Sequence, residues 1–287
     1  MISYSCMTSW TMTLLSFVLA KSVQFPFYSW LIDAMVAPTP ASAFLHGAAM
    51  IEMGVYLLGR IIQFINTLPE ICFTILAIPI VITCIICVLM YPIQTDAKKL
   101  LAYSTVNEVM TMYVRLAYAI INPTIGLKAS TSYLISHAYL KGLGFLIVGV
   151  FGYVYGTHVM RNIKGLLLST KLVTIGWISA ILRLSGIPPF NLFFGKLYIL
   201  TSVSKFANAI HLVPIFSMLI SSCMFFIVSI KWLEKTVFSN SELTINRINI
   251  PSLMKYTIAA LIVISLTSYL LSYNMISHIT IYGGISV

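Results

Sequence analysis

Nine ionisable side chains lie in stretches of sequence that are otherwise apolar. A charge at the centre of a membrane span costs about 2.5–3.5 kcal/mol on insertion scales, so such residues usually face a bundle interior and mark ion or proton paths. For the two arginines, which lie near a span end or a break, we favour a structural role. The nine are five cations, two glutamates and two histidines: Lys21, Arg115, Lys141, Arg183, Lys196, Glu52, Glu108, His46 and His137.

Histidine and lysine are suited to moving protons. Histidine changes charge near neutral pH, and a lysine removed from water can lose and regain a proton. Tyr133, His137 and Lys141 are spaced four residues apart, so they would form a polar stripe on one helical face. The sequence shows no cluster of metal ligands, no glycine-rich phosphate loop and no nucleophile elbow. No metal or cofactor site is therefore predicted.

Three of the polar residues have a second explanation. His46 taken alone is more often a hydrogen-bonded interior histidine than a proton carrier. Glu108 follows Ser104 and Asn107, so a polar contact between helices would explain it as well as a function would. Glu52 lies six residues after His46, so on one continuous helix it would point to a different face. We treat Glu52 separately for that reason.

The composition predicts an all-α polytopic membrane protein. The chain has 287 residues, of which 59% are hydrophobic and 8% charged, and its mean hydropathy is +0.97. A soluble domain has about 25% charged residues, so soluble and disordered classes are excluded. Apolar runs of about 20 residues each span a bilayer as a helix. We predict eight, at 10–35, 40–62, 71–92, 100–121, 128–155, 172–204, 208–231 and 254–275.

The first and sixth spans are too long for one straight crossing, and both contain helix breakers. Pro26 interrupts the first, and Pro188 and Pro189 interrupt the sixth, since proline removes a backbone donor and clashes with the preceding turn. Broken helices in corresponding places indicate a transport site. Each break has a lysine nearby, Lys21 and Lys196, which makes plain kinks a weaker explanation.

The net charge of +10 describes orientation better than it describes partners. Loops on one side of the eight spans carry nine cations, and loops on the other side carry three. The positive-inside rule puts the nine-charge side in the matrix or cytoplasm and both termini on the opposite side. The cations are scattered rather than clustered with exposed aromatic residues, so nucleic acid is excluded as a partner.

Five sequence blocks, in the same order, resemble subunit 5 of NADH dehydrogenase, the respiratory complex I. The APTP block and the histidine that follows favour subunit 5 over subunits 2 and 4. The wider family also contains cation/proton antiporter subunits and membrane-bound hydrogenase subunits. The blocks are KSVQFPF at 21–27, APTP with FLHGAAM at 37–50, DAKKLLAYST at 96–105, SHAYLKGLGF at 136–145, and GIPPF with FFGK at 186–196.

The resemblance implies a proton-pumping, antiporter-like fold of two inverted five-helix repeats. Residues 1–65 would end the first repeat, 66–232 would form the second, and 233–287 would add a polar loop and a C-terminal transmembrane helix. Lys21 and Lys196 would be the lysines of the two broken helices. His46, His137 and Lys141 would lie on the polar axis between them, with Glu52, Glu108 and Tyr133 as further candidates.

The sequence also departs from the family pattern. It begins at what resembles the family's seventh helix, so we expect a split subunit whose front half, with the glutamate that pairs with Lys21, is a separate chain. Leu197 stands where an acidic residue usually follows the second lysine, and Tyr133 stands where a second histidine is common. Glu52 and Glu108 replace uncharged residues, and we hypothesise that one of them offsets a lost carboxylate. The family's long lateral helix is missing at the C-terminus.

The function expected from the resemblance is that of a proton-translocating subunit of NADH:ubiquinone oxidoreductase, with no redox chemistry in this chain. NADH, FMN, iron–sulfur clusters and quinone would bind to other subunits. The partners would be other membrane-arm subunits, the front-half chain and lipids such as cardiolipin. The location would be the mitochondrial inner membrane, with both termini in the intermembrane space. A stand-alone cation/proton antiporter and a structural subunit with a lost proton path are the alternatives.

Overall fold

The computed structural model describes residues 4–47, 50–65, 71–166, 170–188, 192–193, 195–197, 200, 209–239 and 250–278. Within these ranges the side chains of 4–12, 124–125, 209–210 and 268–278 are not described.

The described chain is helical. Short 3-10 turns at Ala34–Val36, Tyr91–Ile93 and Met160–Asn162 and a π turn at Glu234–Phe238 lie between the main elements. The helices are α1 Tyr4–Lys21, α2 Ser29–Asp33, α3 Thr39–Gly47, α4 Glu52–Ile65, α5 Ile71–Met90, α6 Ala97–Ile121, α7 Pro123–Tyr155, α8 Lys171–Leu184, α9 Ala209–Leu233 and α10 Ser252–His278.

The predicted fold class, an all-α multi-pass membrane protein, is confirmed. Four helical stretches are long and apolar enough to cross a membrane: Thr39–Ile65, Ile71–Ile93, Gly126–Tyr155 and His211–Phe238. Helix α6 has the length of a span but a more polar sequence, and every residue from Leu100 to Ala119 is buried. A helix with interior charges is suited to a site enclosed by other helices rather than exposed to lipid.

Helix α6 lies at the centre of the bundle. It packs against α4, α5, α7 and α9, and α7 in turn packs against α3, α8 and α10. Helices α3 and α7 approach closely at Gly47, where an added Cβ would lie 2.9 Å from the carbonyl oxygen of Ala138. This approach places the polar residues of α3, α6 and α7 in one interior region.

The first break lies at residues 22–28, around Pro26, after α1 ends at Lys21. The backbone groups that leave the helix find other partners. The amide of Phe25 donates to Thr83 Oγ1 at 3.0 Å, and Gln24 Nε2 donates to the carbonyl of Ser22 at 3.1 Å. Such compensation is what non-helical backbone at membrane depth requires.

The second break follows α8, which ends at Leu184. Gly186 has φ +71°, a left-handed conformation that glycine adopts without steric cost, and Pro188 follows in a non-helical turn. Helical structure is present again at 192–193 and 195–197, which includes Lys196. Pro189, also predicted to break this helix, lies outside the described residues.

A third interruption was not predicted. We expected one span over 40–62, but α3 ends at Gly47 and α4 begins at Glu52, with a turn at Met50 and Ile51. The argument that placed Glu52 on a different face from His46 assumed a continuous helix, so that argument is wrong. Helix α7 also begins at Pro123, five residues before the predicted start at 128.

Candidate functional site

The site begins with an ion pair between α4 and α7. Nδ1 of His137 lies 2.8 Å from Oε1 of Glu52, and both residues are buried. An ionised carboxylate only accepts hydrogen bonds, so His137 Nδ1–H is the donor. The other ring nitrogen, Nε2, is buried and has no hydrogen-bond partner among the described residues. In the neutral ring this nitrogen carries the lone pair that accepts a proton.

His46 of α3 is held in the same way by a hydroxyl group. Its Nδ1 lies 2.9 Å from Thr105 Oγ1, and Thr105 donates its single hydroxyl hydrogen to the carbonyl of Leu101 at 2.9 Å. Thr105 must therefore accept from His46 Nδ1–H. The ring stacks on Phe145 with centroids 4.4 Å apart, and its Nε2 is also buried without a partner in the described structure. Both histidines thus keep Nε2 available.

Lys141 is fully buried one turn after His137 on α7. Its ammonium donates to the carbonyl of Leu101 at 3.2 Å and to the hydroxyl of Ser104, both on α6. The charge of Lys141 acts on both His46 and His137. Because these interactions occur inside the bundle, where the dielectric is low, a change of charge on one group strongly affects the others.

Lys196 lies after the second break and is also buried. Its ammonium donates to Ser222 Oγ of α9 at 2.8 Å. Glu108, in the middle of α6, is 1% exposed, and the charges of Lys196, Lys141 and Arg115 all act on its carboxylate. A buried carboxylate needs compensation of this kind, since an isolated buried charge is very costly.

Three other candidates have different surroundings. Lys21 is half-buried at the end of α1, and in the described part of the chain no ion pair involves it. The ring of Tyr133 lies under the guanidinium of Arg115, 3.9 Å from its carbon, so Tyr133 belongs with Arg115 rather than with His137. Arg183 is buried and donates to Ser265 of α10, which is the contact between helices expected of a structural cation.

The structure thus brings six of the predicted residues into one interior cluster, which we call the polar axis: His46, Glu52, Glu108, His137, Lys141 and Lys196. The prediction gave no role to the hydroxyl groups that hold them, Ser104, Thr105 and Ser222. Closely spaced Ser and Thr in an apolar helix were the signal, since each hydroxyl can accept from a buried cation or imidazole.

Fold and site together define a polytopic membrane protein with an interior line of ionisable groups. Residues 1–224 match the family described as NADH:quinone oxidoreductase/Mrp antiporter, TM. The chain belongs to this family.

Curated relatives of the chain belong to bacterial Na(+)/H(+) antiporters. It is 36% identical over 201 residues to the antiporter's A1 subunit from Staphylococcus saprophyticus, covering 66% of this chain and 25% of the relative. It is 33% identical over 238 residues to the corresponding antiporter protein from Bacillus subtilis, covering 77% and 30%. The chain thus spans between a quarter and a third of these relatives. The narrower resemblance to complex I subunit 5 stays a prediction.

Two solved structures share the fold. A chain of the Mrp complex from Dietzia sp. DQ12-45-1b superposes with a TM-score of 0.81, at 19% identity over 96% of this chain and 58% of that one. A chain of the membrane-bound sulfane sulfur reductase, an archaeal respiratory membrane complex, gives 0.77, at 21% identity over 91% and 53%.

Proposed function

We propose that the chain carries protons through the membrane as one subunit of a larger complex. The observation that carries this proposal is the polar axis: six ionisable side chains held at fixed positions, by hydrogen bonds or by neighbouring charges, inside a member of this family. Buried ionisable residues at this density are costly, and they are typical of proton relays in membrane proteins.

The relay works by Coulomb coupling between neighbours. A proton taken up at Nε2 of His46 or His137 makes that ring positive, and the ring then repels the ammonium of Lys141. Lys141 releases its proton along the polar axis towards Lys196, and the histidine resets when it loses its own proton. Interactions of several kcal/mol at about 4 Å and an effective dielectric constant of about 20 are large enough to drive each step.

For the parent complex we propose NADH:ubiquinone oxidoreductase of the mitochondrial inner membrane. The five sequence blocks that resemble subunit 5 support this choice. Redox chemistry with NADH, FMN, iron–sulfur clusters and quinone would take place in other subunits and would drive the relay through charge shifts along the membrane arm. This chain would carry no cofactor, and cardiolipin and neighbouring membrane-arm subunits would surround it.

We also propose that a separate polypeptide supplies the helices that precede this segment in the family. Lys21, half-buried and without an ion pair among the described residues, would find its carboxylate there. Crosslinking from a photoreactive residue at position 21 in the intact complex should capture that chain. Crosslinks confined to lipid would contradict this part of the proposal.

Lysine substitutions test the function. In proteoliposomes containing the intact complex, Lys141→Ala and Lys196→Ala should each lower the number of protons moved per electron, whereas the exposed Lys255→Ala should not. An unchanged ratio in both variants, with normal assembly, would refute the proposal and favour a structural subunit that has lost its proton path.

Cation/proton antiport is the second candidate function, because the curated relatives carry that name. The same proteoliposomes, given an outward Na⁺ or K⁺ gradient and no electron donor, distinguish the two functions. Proton exchange that depends on the cation and disappears in Lys141→Ala would identify an antiporter. Proton movement that requires electron donor would favour the redox-driven complex.

A further inference from the structure

Glu108 is a fully interior carboxylate to which neither function assigns a role. It lies near the middle of α6, between Ala97 and Ile121, and is 1% exposed. Its Oε2 atom is buried and has no hydrogen-bond partner among the described residues. A carboxylate in such a place either has its charge balanced by cations or holds a proton.

Cations face Glu108 from three directions. Lys196 follows the second break, Lys141 comes from α7, and Arg115 is two turns further along α6; the charge of each acts on the carboxylate. The hydroxyl of Tyr91, after α5, also lies within range. With three cations around one carboxylate, the region can gain or lose a proton at a lysine without leaving the carboxylate uncompensated.

Hydrogen bonds fix both lysines to the segment of α6 that ends at Glu108. Lys141 donates to Ser104, one turn before Glu108 on the same face. Lys196 donates to Ser222, while the neighbouring Ser221 donates to the side chain of Asn107, the residue before Glu108. Glu108 thus stands between the two lysine positions along the polar axis.

The other buried glutamate has a different partner. Glu52 is engaged by His137 at 2.8 Å, and among the described residues no lysine charge acts on it. The side chain after Lys196 is Leu197, which is 42% exposed and has no charge to offer. Of the two described buried glutamates, Glu108 is therefore the one placed to serve the lysines.

We propose that Glu108 carries the proton from Lys141 to Lys196, an inference that rests on the proposed proton-translocating function. In the first step the Lys141 ammonium gives a proton to the Glu108 carboxylate, which leaves a neutral amine and a carboxylic acid. In the second step the acid gives that proton to a neutral Lys196 and becomes a carboxylate again. One proton moves, no electron moves, and the side chain or an intervening water molecule spans each gap.

The test uses the intact complex in proteoliposomes and compares Glu108→Gln with Lys141→Ala. Glutamine has the size of glutamate but cannot carry a proton, so we expect it to lose the same share of the proton-to-electron ratio as Lys141→Ala. The exposed Glu234→Gln is the matched control, with a normal ratio expected. Assembly and electron-transfer rate are measured for every variant.

The outcomes separate this inference from the proposed function. A normal ratio in Glu108→Gln together with a lost ratio in Lys141→Ala would overturn the role of Glu108 and leave the function standing. A normal ratio in both variants would overturn the function itself. Loss in both, with assembly intact, supports the inference.

A purely structural role of Glu108 needs a separate readout. Infrared difference spectra recorded during turnover should contain a carboxylic acid band that is absent in Glu108→Gln and shifted in Glu108→Asp, and the Asp variant should recover part of the ratio. If Glu108→Gln does not assemble, the Asp variant decides alone: a shifted band supports proton transfer through this residue. Spectra identical to the wild type would overturn it.

Discussion

At the scale of single residues, the two histidines have the same hydrogen-bond polarity although their partners differ. Glu52 and Thr105 each accept from an Nδ1–H, 2.8 and 2.9 Å away, so both rings keep Nε2 as the acceptor. A partner that fixes the tautomer also fixes which ring atom exchanges protons. The geometry therefore makes these two partners positioning residues for the proposed relay.

Replacing Thr105 with valine should loosen the tautomer of His46. Valine has nearly the same shape but cannot accept the Nδ1 hydrogen bond, whose loss removes about 0.5–1.5 kcal/mol of preference. We expect proton transfer to slow by roughly two- to tenfold, and ¹⁵N spectra of labelled histidine should show a mixture of tautomers. Thr105→Ser keeps the hydroxyl and should restore both measurements. An unmixed wild-type tautomer in Thr105→Val would contradict this argument.

The Glu52–His137 pair should show strong coupling in stability. Removing one partner from a buried pair costs about 3–5 kcal/mol, whereas replacing both with apolar residues is often neutral. We therefore expect Glu52→Leu to lower the thermal midpoint of the purified complex clearly, and Glu52→Leu with His137→Phe to recover most of it. Exposed Glu234→Leu serves as the control. Additive losses in the double variant would show that the pair is not coupled.

The sequence identified which residues are ionisable and interior, but not which of them pair. Glu52 and His137 are 85 positions apart, so no local spacing could join them. Tyr133 has helical register with His137, yet the approach of Arg115 from α6 takes its ring. Register on one helix is a local property, whereas partner choice depends on how neighbouring helices pack.

At the scale of helices, α6 connects the parts of the site. It holds Lys141 and His46, contains Glu108, and reaches Ser221 of α9 through Asn107. Its start is set by Asp96, whose carboxylate accepts from the amides of Lys98 and Lys99 at 2.7 and 3.3 Å. Lys98 also donates to the carbonyl of Ala37 at 2.9 Å, which ties this end to the segment between α2 and α3.

Removing the cap should destabilise α6. Asp96→Ala leaves two first-turn amides without their partner and should cost about 1 kcal/mol. We expect a lower denaturation midpoint for the purified complex. Asp96→Asn keeps a capping oxygen and should stay near the wild type, while Asp33→Ala, at an exposed position without a capping contact, should have no effect. Equal stability of Asp96→Ala and wild type would show that the cap is dispensable.

The second break depends on Gly186. At φ +71° any other residue pays about 1–2 kcal/mol, and a Cβ there would lie 2.7 Å from Lys196 Nζ. Gly186→Ala should therefore displace the ammonium from Ser222 and reduce proton transfer. Gly142→Ala is the matched control, since nothing lies within 4 Å of its added methyl. Proton-to-electron ratios of both variants test this, and a normal ratio in Gly186→Ala would contradict it.

Elements marked by proline were easier to predict than the interruption between α3 and α4. The irregular segments at residues 22–28 and after Leu184 lie around Pro26 and Pro188, whose missing amide is legible in the sequence. The turn at Met50 and Ile51 has no proline to mark it. It depends on packing against neighbouring helices, which a single helical pattern does not report.

At the scale of the whole molecule, cation-bearing loops gather at one end of the bundle. Asp96 and Val159 form a bridge, the amide of Ala97 donates to the carbonyl of His158 at 2.9 Å, and the turn Met160–Asn162 contacts the π turn Glu234–Phe238. The ends of α5, α7 and α9 are therefore adjacent. These loops contain the described cations that the sequence assigned to the nine-charge side, as the positive-inside rule requires of a single membrane face.

The orientation that follows can be measured directly. We expect Lys235→Cys, at the cation-rich end, and Arg60→Cys, on α4, to lie on opposite sides of the membrane. In sealed mitochondrial inner-membrane vesicles of known sidedness, a membrane-impermeant maleimide should label position 235 from the matrix side and position 60 from the other side. Wild type measures the background from native cysteines. The opposite pattern would invert the predicted topology, and with it the direction in which the polar axis would have to deliver protons. Labelling of both positions from one side would contradict the alternation of the eight predicted spans, because α4 and α9 would then no longer end on opposite faces.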